Sequence, residues 1–227
     1  MEKNVDKDDG SLAESVATRV RNLLIAGEFE PSQKLSEHQV AAQFGISRNT
    51  LREVFRLLTS QRLLEYIPNR GVFVAAPDEA AVIDIYRVRL VIQRSAVQGA
   101  VKGHPALAKM RDEAEKGQEL SFEQDWRQVG TTNMEFHRAM VELHDSARLS
   151  ASFDLVLAEL RLVFGQLEDS AHLHEPYIER NSALVQFLES GDIASATSGI
   201  ESYLLQSERA VLAALQRKRA AFKKLAV

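Results

Sequence analysis

Two short amphipathic helices are predicted on either side of a single glycine, between residues 36 and 60. Ser36 and Gln39 form the Ser-x-x-Gln pattern of a capping box, which begins the first helix. Gly45 ends it, because glycine readily takes the left-handed conformation that closes a helix. Ser47 caps a second helix, whose apolar residues recur at helical spacing; they are Leu51, Val54, Phe55 and Leu58. A short helix, a tight turn and a second helix form the helix-turn-helix pattern.

A longer helix is predicted before this pair, and two short strands after it. Apolar residues recur at helical spacing from residue 11 to Gly27. After Leu64 the pattern changes to two apolar runs around residues 68–71, which predicts two strands joined by a tight turn. Pro77 marks a boundary. We therefore predict a winged helix-turn-helix domain over residues 11–76, preceded by a highly charged, disordered tail over residues 1–10.

Beyond Pro77 the chain is predicted to form about six helices over residues 79–227. The sequence contains only 5 prolines and 11 glycines in 227 residues, which favours long helices with few turns. We expect breaks near residues 103–105, 116–121, 144–146, 169–176 and 190–192. His172 and His174, which fall in one of these breaks, could form a surface metal site but are interpreted as solvated loop residues. The predicted fold is mainly α, with a small β-wing and a helical bundle.

The composition excludes several classes of protein. There is no cysteine, which rules out disulfides, Cys-ligated zinc, iron–sulfur clusters and thiol catalysis, and is compatible with a cytoplasmic location. No apolar run approaches the ~20 residues of a membrane span, so we expect no contact with a membrane. The polar, acidic start of the chain does not resemble a secretory signal.

Positive charge is concentrated in one segment of an otherwise acidic chain. The formal net charge is -4, yet residues 34–70 carry six bases and three acids. Local positive charge of this kind is where a polyanionic partner would bind.

The second helix of the pair presents its polar side chains on one outward-facing arc, formed by Arg48, Asn49, Arg52 and Arg56. Arginine and asparagine make paired hydrogen bonds to the edges of guanine and adenine. They lie in the first turns of the helix, the end that enters the major groove in helix-turn-helix proteins. The turn at residues 69–71 suits contact with phosphate or the minor groove. The alternative is an amphipathic helix whose arginines are merely solvated.

Three segments of this region closely resemble the winged helix of GntR-family bacterial transcription regulators: AGEFEPSQKLSE over 26–37, FGISRNTLRE over 44–53 and NRGVFV over 69–74. The resemblance implies DNA contacts by Arg48, Thr50 and Arg52, and by Arg70 and Gly71 in the wing. Many members carry Arg at His38, and Thr or Ser at Asn49. The candidate DNA-binding residues are Lys34, His38, Arg48, Asn49, Thr50, Arg52, Arg56, Asn69, Arg70 and Gly71.

Polar side chains also lie on the apolar faces of four predicted helices in residues 79–227. Arg89 shares such a face with Val82 and Tyr86, and a buried guanidinium is costly unless a carboxylate or a bound anion accompanies it. The converging residues, candidates for effector binding, are Arg89, Gln93, Asn133, His137, Asn181 and Tyr203. We interpret them as a ligand pocket; a satisfied polar network in the core is the alternative.

Residues 79–227 resemble the all-helical ligand-binding domain of the FadR subfamily, the FCD type. The resemblance is carried by DIYRVR over 84–89, FHR over 136–138 and LESGD over 188–192. Many FCD domains hold a divalent metal with one Asp and three His, which correspond here to Asn133, His137, Asn181 and Tyr203. Only His137 keeps the ligand type, and amides are poor ligands for transition metals. We therefore expect no metal and no other cofactor, and a polar organic ligand instead.

These features predict a ligand-responsive transcription regulator, interpreted as a repressor, that binds a pseudo-palindromic DNA operator as a homodimer. The expected effector is a small anionic organic acid. Two alternatives remain: a helical-bundle enzyme or metal-dependent protein centred on His137, and a DNA-binding module without an effector. We expect no catalytic residue, because Met134 breaks the Glu-x-x-His pattern of bundle di-metal enzymes, and the chain has no glycine-rich phosphate loop and no nucleophile elbow.

Overall fold

The computed structural model describes residues 6–167 and 170–225, and the chain divides into two compact units between Ala76 and Pro77. Over its described residues, 6–76, the first unit contains three helices and three strands. They are α1 (Asp6–Ile25), β1 (Lys34–Leu35), α2 (Glu37–Phe44), α3 (Arg48–Ser60), β2 (Leu64–Ile67) and β3 (Gly71–Val74). The order of these elements is that of the predicted winged helix-turn-helix.

The helix pair α2–α3 is defined by its capping residues. The Ser36 hydroxyl accepts a hydrogen bond from the backbone N–H of Gln39, and Ser47 accepts one from the N–H of Thr50. Gly45 ends α2 with φ +65°, in the left-handed region. The turn between the two helices is therefore fixed by local sequence, as predicted.

The first helix begins earlier than the sequence suggests. Residues 6–10, predicted as part of a disordered tail, belong to α1. Residues 1–5 of that tail lie outside the described residues. One face of α1 packs against α3 and forms the core of this unit; its buried residues include Val16, Val20 and Leu24 on α1 and Leu51, Val54 and Leu58 on α3.

The sheet has the order β1-β3-β2, with both pairings antiparallel. The β2–β3 hairpin was predicted, whereas β1 was not, because two residues are too short to show an alternating pattern. The turn of the hairpin contains Asn69 at φ +60° and Gly71 at φ +104°. The N–H of Arg70 closes it by donating to the carbonyl of Ile67 at 3.0 Å.

The second unit is all-helical. Its helices are α4 (Glu79–Gln98), α5 (Pro105–Phe122), α6 (Trp126–Glu142), α7 (Ala147–Gly165), α8 (Ser170–Ser190) and α9 (Ile193–Leu225). The helices pack pairwise around a common core, with α4 against α9, α5 against α6 and α8 against both α5 and α9. Among the described residues, no helix has the length and apolar content needed to cross a bilayer.

Two of the predicted helix breaks are misplaced along the chain. Residues 116–121 lie inside α5, and the chain turns instead at 123–125, where Gln124 has φ +59°. As a result Phe122 ends α5 with 80% of its surface exposed, rather than lying on the buried face of α6. The break predicted near 169–176 occurs earlier: α7 ends at Gly165, and α8 begins at Ser170 and continues through Pro176. Burial of Leu173 and Tyr177 on either side offsets the loss of one backbone donor at the proline.

Replacing Gly45 with Ala should destabilise the first unit by about 1 kcal/mol, because an L side chain disfavours the left-handed conformation. No atom lies within 4 Å of the position that the new Cβ would take, so the cost comes from the backbone alone. Thermal denaturation followed by circular dichroism measures the change. Gly45→Asn should lose less, since asparagine tolerates this conformation. Equal stability of Gly45→Ala and wild type would contradict the assignment.

Candidate functional site

The first candidate site is the exposed surface of α3. Burial of Leu51, Val54 and Leu58 against α1 turns the opposite face of the helix outward. The side chains exposed there are Arg48, Asn49, Arg52 and Arg56. Because Arg48 and Asn49 occupy the first turn, their donors project from the amino end of the helix, as base recognition requires.

Two of these arginines form ion pairs within the unit. Arg52 lies 3.7 Å from a carboxylate oxygen of Glu37, and Arg56 lies 2.6 Å from that of Glu53. All four side chains are substantially exposed, so these pairs contribute little to stability. The two ion pairs orient the guanidinium groups. Because the pairs are weak, each arginine can exchange its carboxylate for a phosphate.

Thr50 differs from the other candidate DNA-binding residues. It is buried, and its hydroxyl lies 2.9 Å from that of Ser47, which caps the same helix. In this arrangement the Thr50 hydroxyl contacts the capping residue at the start of α3.

The wing presents a second group of the predicted residues. Asn69 and Arg70 are exposed at its tip and Gly71 is half-exposed. The guanidinium carbon of Arg70 lies 5.3 Å from the centre of the Phe73 ring, a cation–π contact that orients the arginine. Lys34, exposed on β1, lies beside this hairpin because β1 pairs with β3. His38 is exposed on α2.

The second candidate site lies in the core of the helical unit, and the structure connects all six predicted residues by hydrogen bonds. They are Arg89, Gln93, Asn133, His137, Asn181 and Tyr203. Arg89 Nε donates to Gln93 Oε1 at 3.2 Å, and Gln93 Nε2 lies 2.6 Å from His137 Nδ1. Arg89, Gln93 and His137 are each at most 1% exposed. The α4 end of the network is therefore sealed from solvent.

The other end of the network runs from α6 to α8 and α9. The Tyr203 hydroxyl donates to Asn133 Oδ1 at 2.9 Å and lies 3.1 Å from His137 Nε2. Asn181 Nδ2 also donates to Asn133 Oδ1, at 2.8 Å. Within the described residues, the buried Oδ1 of Asn181 has no hydrogen-bond partner. This atom is an acceptor that remains available inside the site.

These contacts fix the protonation of His137. Because the Tyr203 proton points to Asn133, the hydrogen bond between ring and phenol requires a proton on His137 Nε2. Nδ1 then accepts from the Gln93 amide. Burial, and secondarily the charge of Arg89, holds the pKa of His137 well below its usual value. The imidazole is therefore neutral, and Arg89 supplies the positive charge of the network.

Arg89 has no carboxylate partner within ion-pair distance among the described residues. Its guanidinium carbon lies 4.8 Å from the centre of the Tyr86 ring, which gives a cation–π contact. The Tyr86 hydroxyl lies 2.6 Å from that of Ser207 on α9. Tyr86 and Ser207 thus extend the site. The sequence could have predicted both residues, because Tyr86 shares a helix face with Arg89 and Ser207 shares one with Tyr203.

The metal set of FCD domains does not fit these residues. Both ring nitrogens of His137 are engaged, and Asn133 Oδ1 already accepts two hydrogen bonds. Amide and phenol groups replace the other ligands, and neither provides a negative charge at neutral pH. No cluster of three or more His, Cys, Asp or Glu suitable for a metal occurs in the part of the chain that the structure describes. The chemistry of the donors thus favours an organic ligand.

His174 corrects one sequence interpretation. It is not a solvated loop residue but lies in α8 and is 3% exposed, with its Nδ1 atom lacking a partner among the described residues. Burial, with a smaller effect of Arg161, lowers the pKa of His174 to about 4. A Cβ on Gly130 would lie 2.8 Å from its Nε2, so glycine makes room for the ring. The side chain of His172 lies outside the described residues.

Two family models match this chain. The model described as bacterial regulatory proteins of the gntR family matches residues 12–74, and the FCD domain model matches residues 84–206. The matched segments fall in the first and the second unit, respectively.

Relatives and solved structures agree with these matches. A crystal structure of a GntR transcriptional regulator from Rhodococcus sp. RHA1 is similar with a TM-score of 0.82 and 33% identity, covering 90% of this chain and 99% of that one. An uncharacterized HTH-type transcriptional regulator from Bacillus subtilis (strain 168) is 26% identical over 58% of this chain and 60% of the relative. The galactonate operon transcriptional repressor of Escherichia coli (strain K12) is 28% identical over 64% and 69%, respectively.

Lowering the pH from 7 to 5 should destabilise the helical unit. His174 is neutral when folded, whereas the unfolded chain takes up a proton as the pH falls through about 6.5, so stability is lost with falling pH. A folded pKa of about 4 gives a loss of about 2 kcal/mol at pH 5. Urea unfolding followed by Trp126 fluorescence measures it. Between pH 7 and pH 5 the free energy of unfolding should fall less for His174→Gln than for wild type. The same pH dependence in the two proteins would contradict the prediction.

Proposed function

The chain belongs to the GntR family of bacterial regulatory proteins and carries an FCD domain, and we propose that it represses transcription as a homodimer whose binding to a pseudo-palindromic operator responds to a small carboxylate. Members of this family are transcription regulators and not enzymes, so the enzymatic alternative is set aside. A protein that binds an operator works where the chromosome lies, and we therefore expect it in the cytoplasm.

In this proposal, α3 and the wing make the contacts that recognise the DNA sequence. Arg48, Asn49 and Arg52 project from the first turns of α3, where they can reach base edges in the major groove. Arg70 at the tip of the hairpin is then placed for the neighbouring minor groove or its phosphates. Each bidentate base contact discriminates by ~1–3 kcal/mol, so a few such side chains suffice for selectivity.

A single observation carries the proposal of an anionic effector: the burial of Arg89 without a carboxylate partner among the described residues. Its side chain is 1% exposed, and the desolvation of an isolated cation costs several kcal/mol. The hydrogen bond to Gln93 and the contact with the Tyr86 ring offset part of that cost. A ligand carboxylate would supply the missing negative charge.

The other groups of the site favour a carboxylate that also carries hydroxyl groups. The buried Asn181 Oδ1 is an acceptor without a partner among the described residues, and a ligand hydroxyl can donate to it. The E. coli relative is named as a repressor of the galactonate operon, and galactonate is a hydroxylated carboxylate. We therefore favour a hydroxy acid of the sugar-acid type over a fatty acid.

Dimerisation is proposed from the exposed side of α4. Val91 and Val88 lie there with 70% and 37% of their surface exposed. A second copy that covers these valines would pair two recognition helices, as a pseudo-palindromic operator requires. An effector that binds one arrangement of the dimer more tightly than another shifts the population and changes the affinity for DNA.

The substitution Arg52→Ala should weaken binding to the operator by about 10- to 100-fold, because a bidentate base contact is lost. The operator is first obtained by selection from random-sequence DNA with the wild-type protein, and affinity is then measured by fluorescence anisotropy. Arg148→Ala, which removes an exposed arginine from the helical unit, is the matched control and should bind normally. A selected site without two-fold symmetry would contradict the dimeric arrangement.

The substitution Arg89→Met should leave the ligand-free protein at least as stable as wild type, because it removes a buried charge that no carboxylate compensates. It should also abolish stabilisation by carboxylates. The measurement is the melting temperature with D-galactonate, D-gluconate or L-lactate, and with galactitol as a neutral comparison. Arg87→Met, on the exposed side of the same helix, should respond as wild type does. An Arg89→Met protein that the same acid still stabilises equally would refute the proposed site.

A further inference from the structure

A groove of about 670 Å³ runs between α3 and the hairpin of the first unit. Its floor is apolar, and its rim carries two arginines and several hydroxyl groups. The residues that line it include Arg52, Phe55, Arg56, Thr59, Tyr66 and Val72. The carboxylate of Glu37, which pairs with Arg52, also lines the rim. The groove therefore joins the two elements that are proposed to read DNA.

Tyr66 has an unusual position for an aromatic residue. Strand alternation places it on the same face of the sheet as the buried Leu64, and it pairs across the hairpin with Val72. The strand extends past the end of the core, however, and Tyr66 is 63% exposed. An aromatic ring thus faces the recognition helix across open space, with its hydroxyl directed toward no bonded partner among the described residues.

The geometry of duplex DNA indicates what passes through this space. The major and minor grooves are separated by a single sugar-phosphate strand. If the first turns of α3 occupy the major groove and Arg70 reaches the adjacent minor groove, that strand must cross between the helix and the hairpin. The groove lies at that crossing.

We propose that this groove seats one sugar-phosphate strand of bound DNA, with the Tyr66 hydroxyl donating a hydrogen bond to a phosphate beside Arg56. Thr59, which also lines the groove, provides a second hydroxyl. The inference rests on the proposed DNA-binding function and adds two contact residues, Tyr66 and Thr59, to those indicated by the sequence.

The residues that line the groove match the chemistry of a sugar-phosphate strand. Phe55 and Val72 form an apolar floor against which deoxyribose can pack, and Arg52 and Arg56 provide positive charge at the rim. Their present partners are the carboxylates of Glu37 and Glu53. A phosphate replaces these weak, exposed pairs by charge-assisted hydrogen bonds, which are stronger.

The test measures binding to two labelled duplexes of about 30 base pairs and unrelated sequence, because phosphate contacts are independent of base sequence. Tyr66→Phe keeps the ring and removes only the hydroxyl. It should weaken binding to both duplexes by the same factor, about three- to tenfold. The slope of log affinity against log salt concentration should stay that of wild type, since the phenol is neutral. Arg56→Gln should reduce the magnitude of that slope by about one.

The control and the remaining outcomes separate this inference from the function on which it rests. Arg148→Gln removes an exposed charge from the helical unit and should leave both affinity and slope unchanged. If Tyr66→Phe binds both duplexes with wild-type affinity, the groove does not hold a sugar-phosphate strand as proposed. A loss on only one duplex would also overturn it, since that result indicates a base contact. Absence of salt-sensitive binding by the wild-type protein would overturn the DNA-binding proposal itself.

Discussion

The burial of the Arg89 guanidinium is the physical constraint that shapes the polar core of the helical unit. A guanidinium in a core needs its donors satisfied and its charge balanced. Gln93 and the face of the Tyr86 ring satisfy part of this need, and in the described part of the chain no carboxylate completes it. His137 is neutral because burial, and secondarily the positive charge of Arg89, lowers the pKa of its ring. This uncompensated charge is the reason that we propose an anionic ligand for the core.

A directional chain of hydrogen bonds stands where related domains are expected to hold a metal. From Gln93 through His137 and Tyr203 to Asn133, each group donates a proton to the next, so the order of protons is fixed along the chain. With the hydrogen bond from Asn181 on α8 to Asn133, the network links four helices without a charged ligand set. A ligand bound at Arg89, as proposed, would be connected to α6 and α9 through these contacts.

Local signals in the sequence predicted the helix-turn-helix well, and long-range contacts account for what they missed. The caps at Ser36 and Ser47 and the glycine at 45 act within one helical turn, so the sequence shows them directly. Strand β1 exists only because β3 lies beside it. Likewise, the segment around His174 reads as a loop because of Pro176, yet burial of its neighbours in the bundle keeps it helical.

The sequence by itself determined which residues lie on which face of each helix, because that depends only on the helical repeat. From those faces alone, Arg89, His137, Asn181 and Tyr203 were expected to meet in one core. Only the tertiary structure decided that Arg89 has no acidic partner among the described residues. It also decided the direction of the hydrogen bonds between His137, Tyr203 and Asn133. Finally, it decided that Tyr66 lines a groove beside the recognition helix. These properties depend on distances between elements far apart in the chain, which no local pattern encodes.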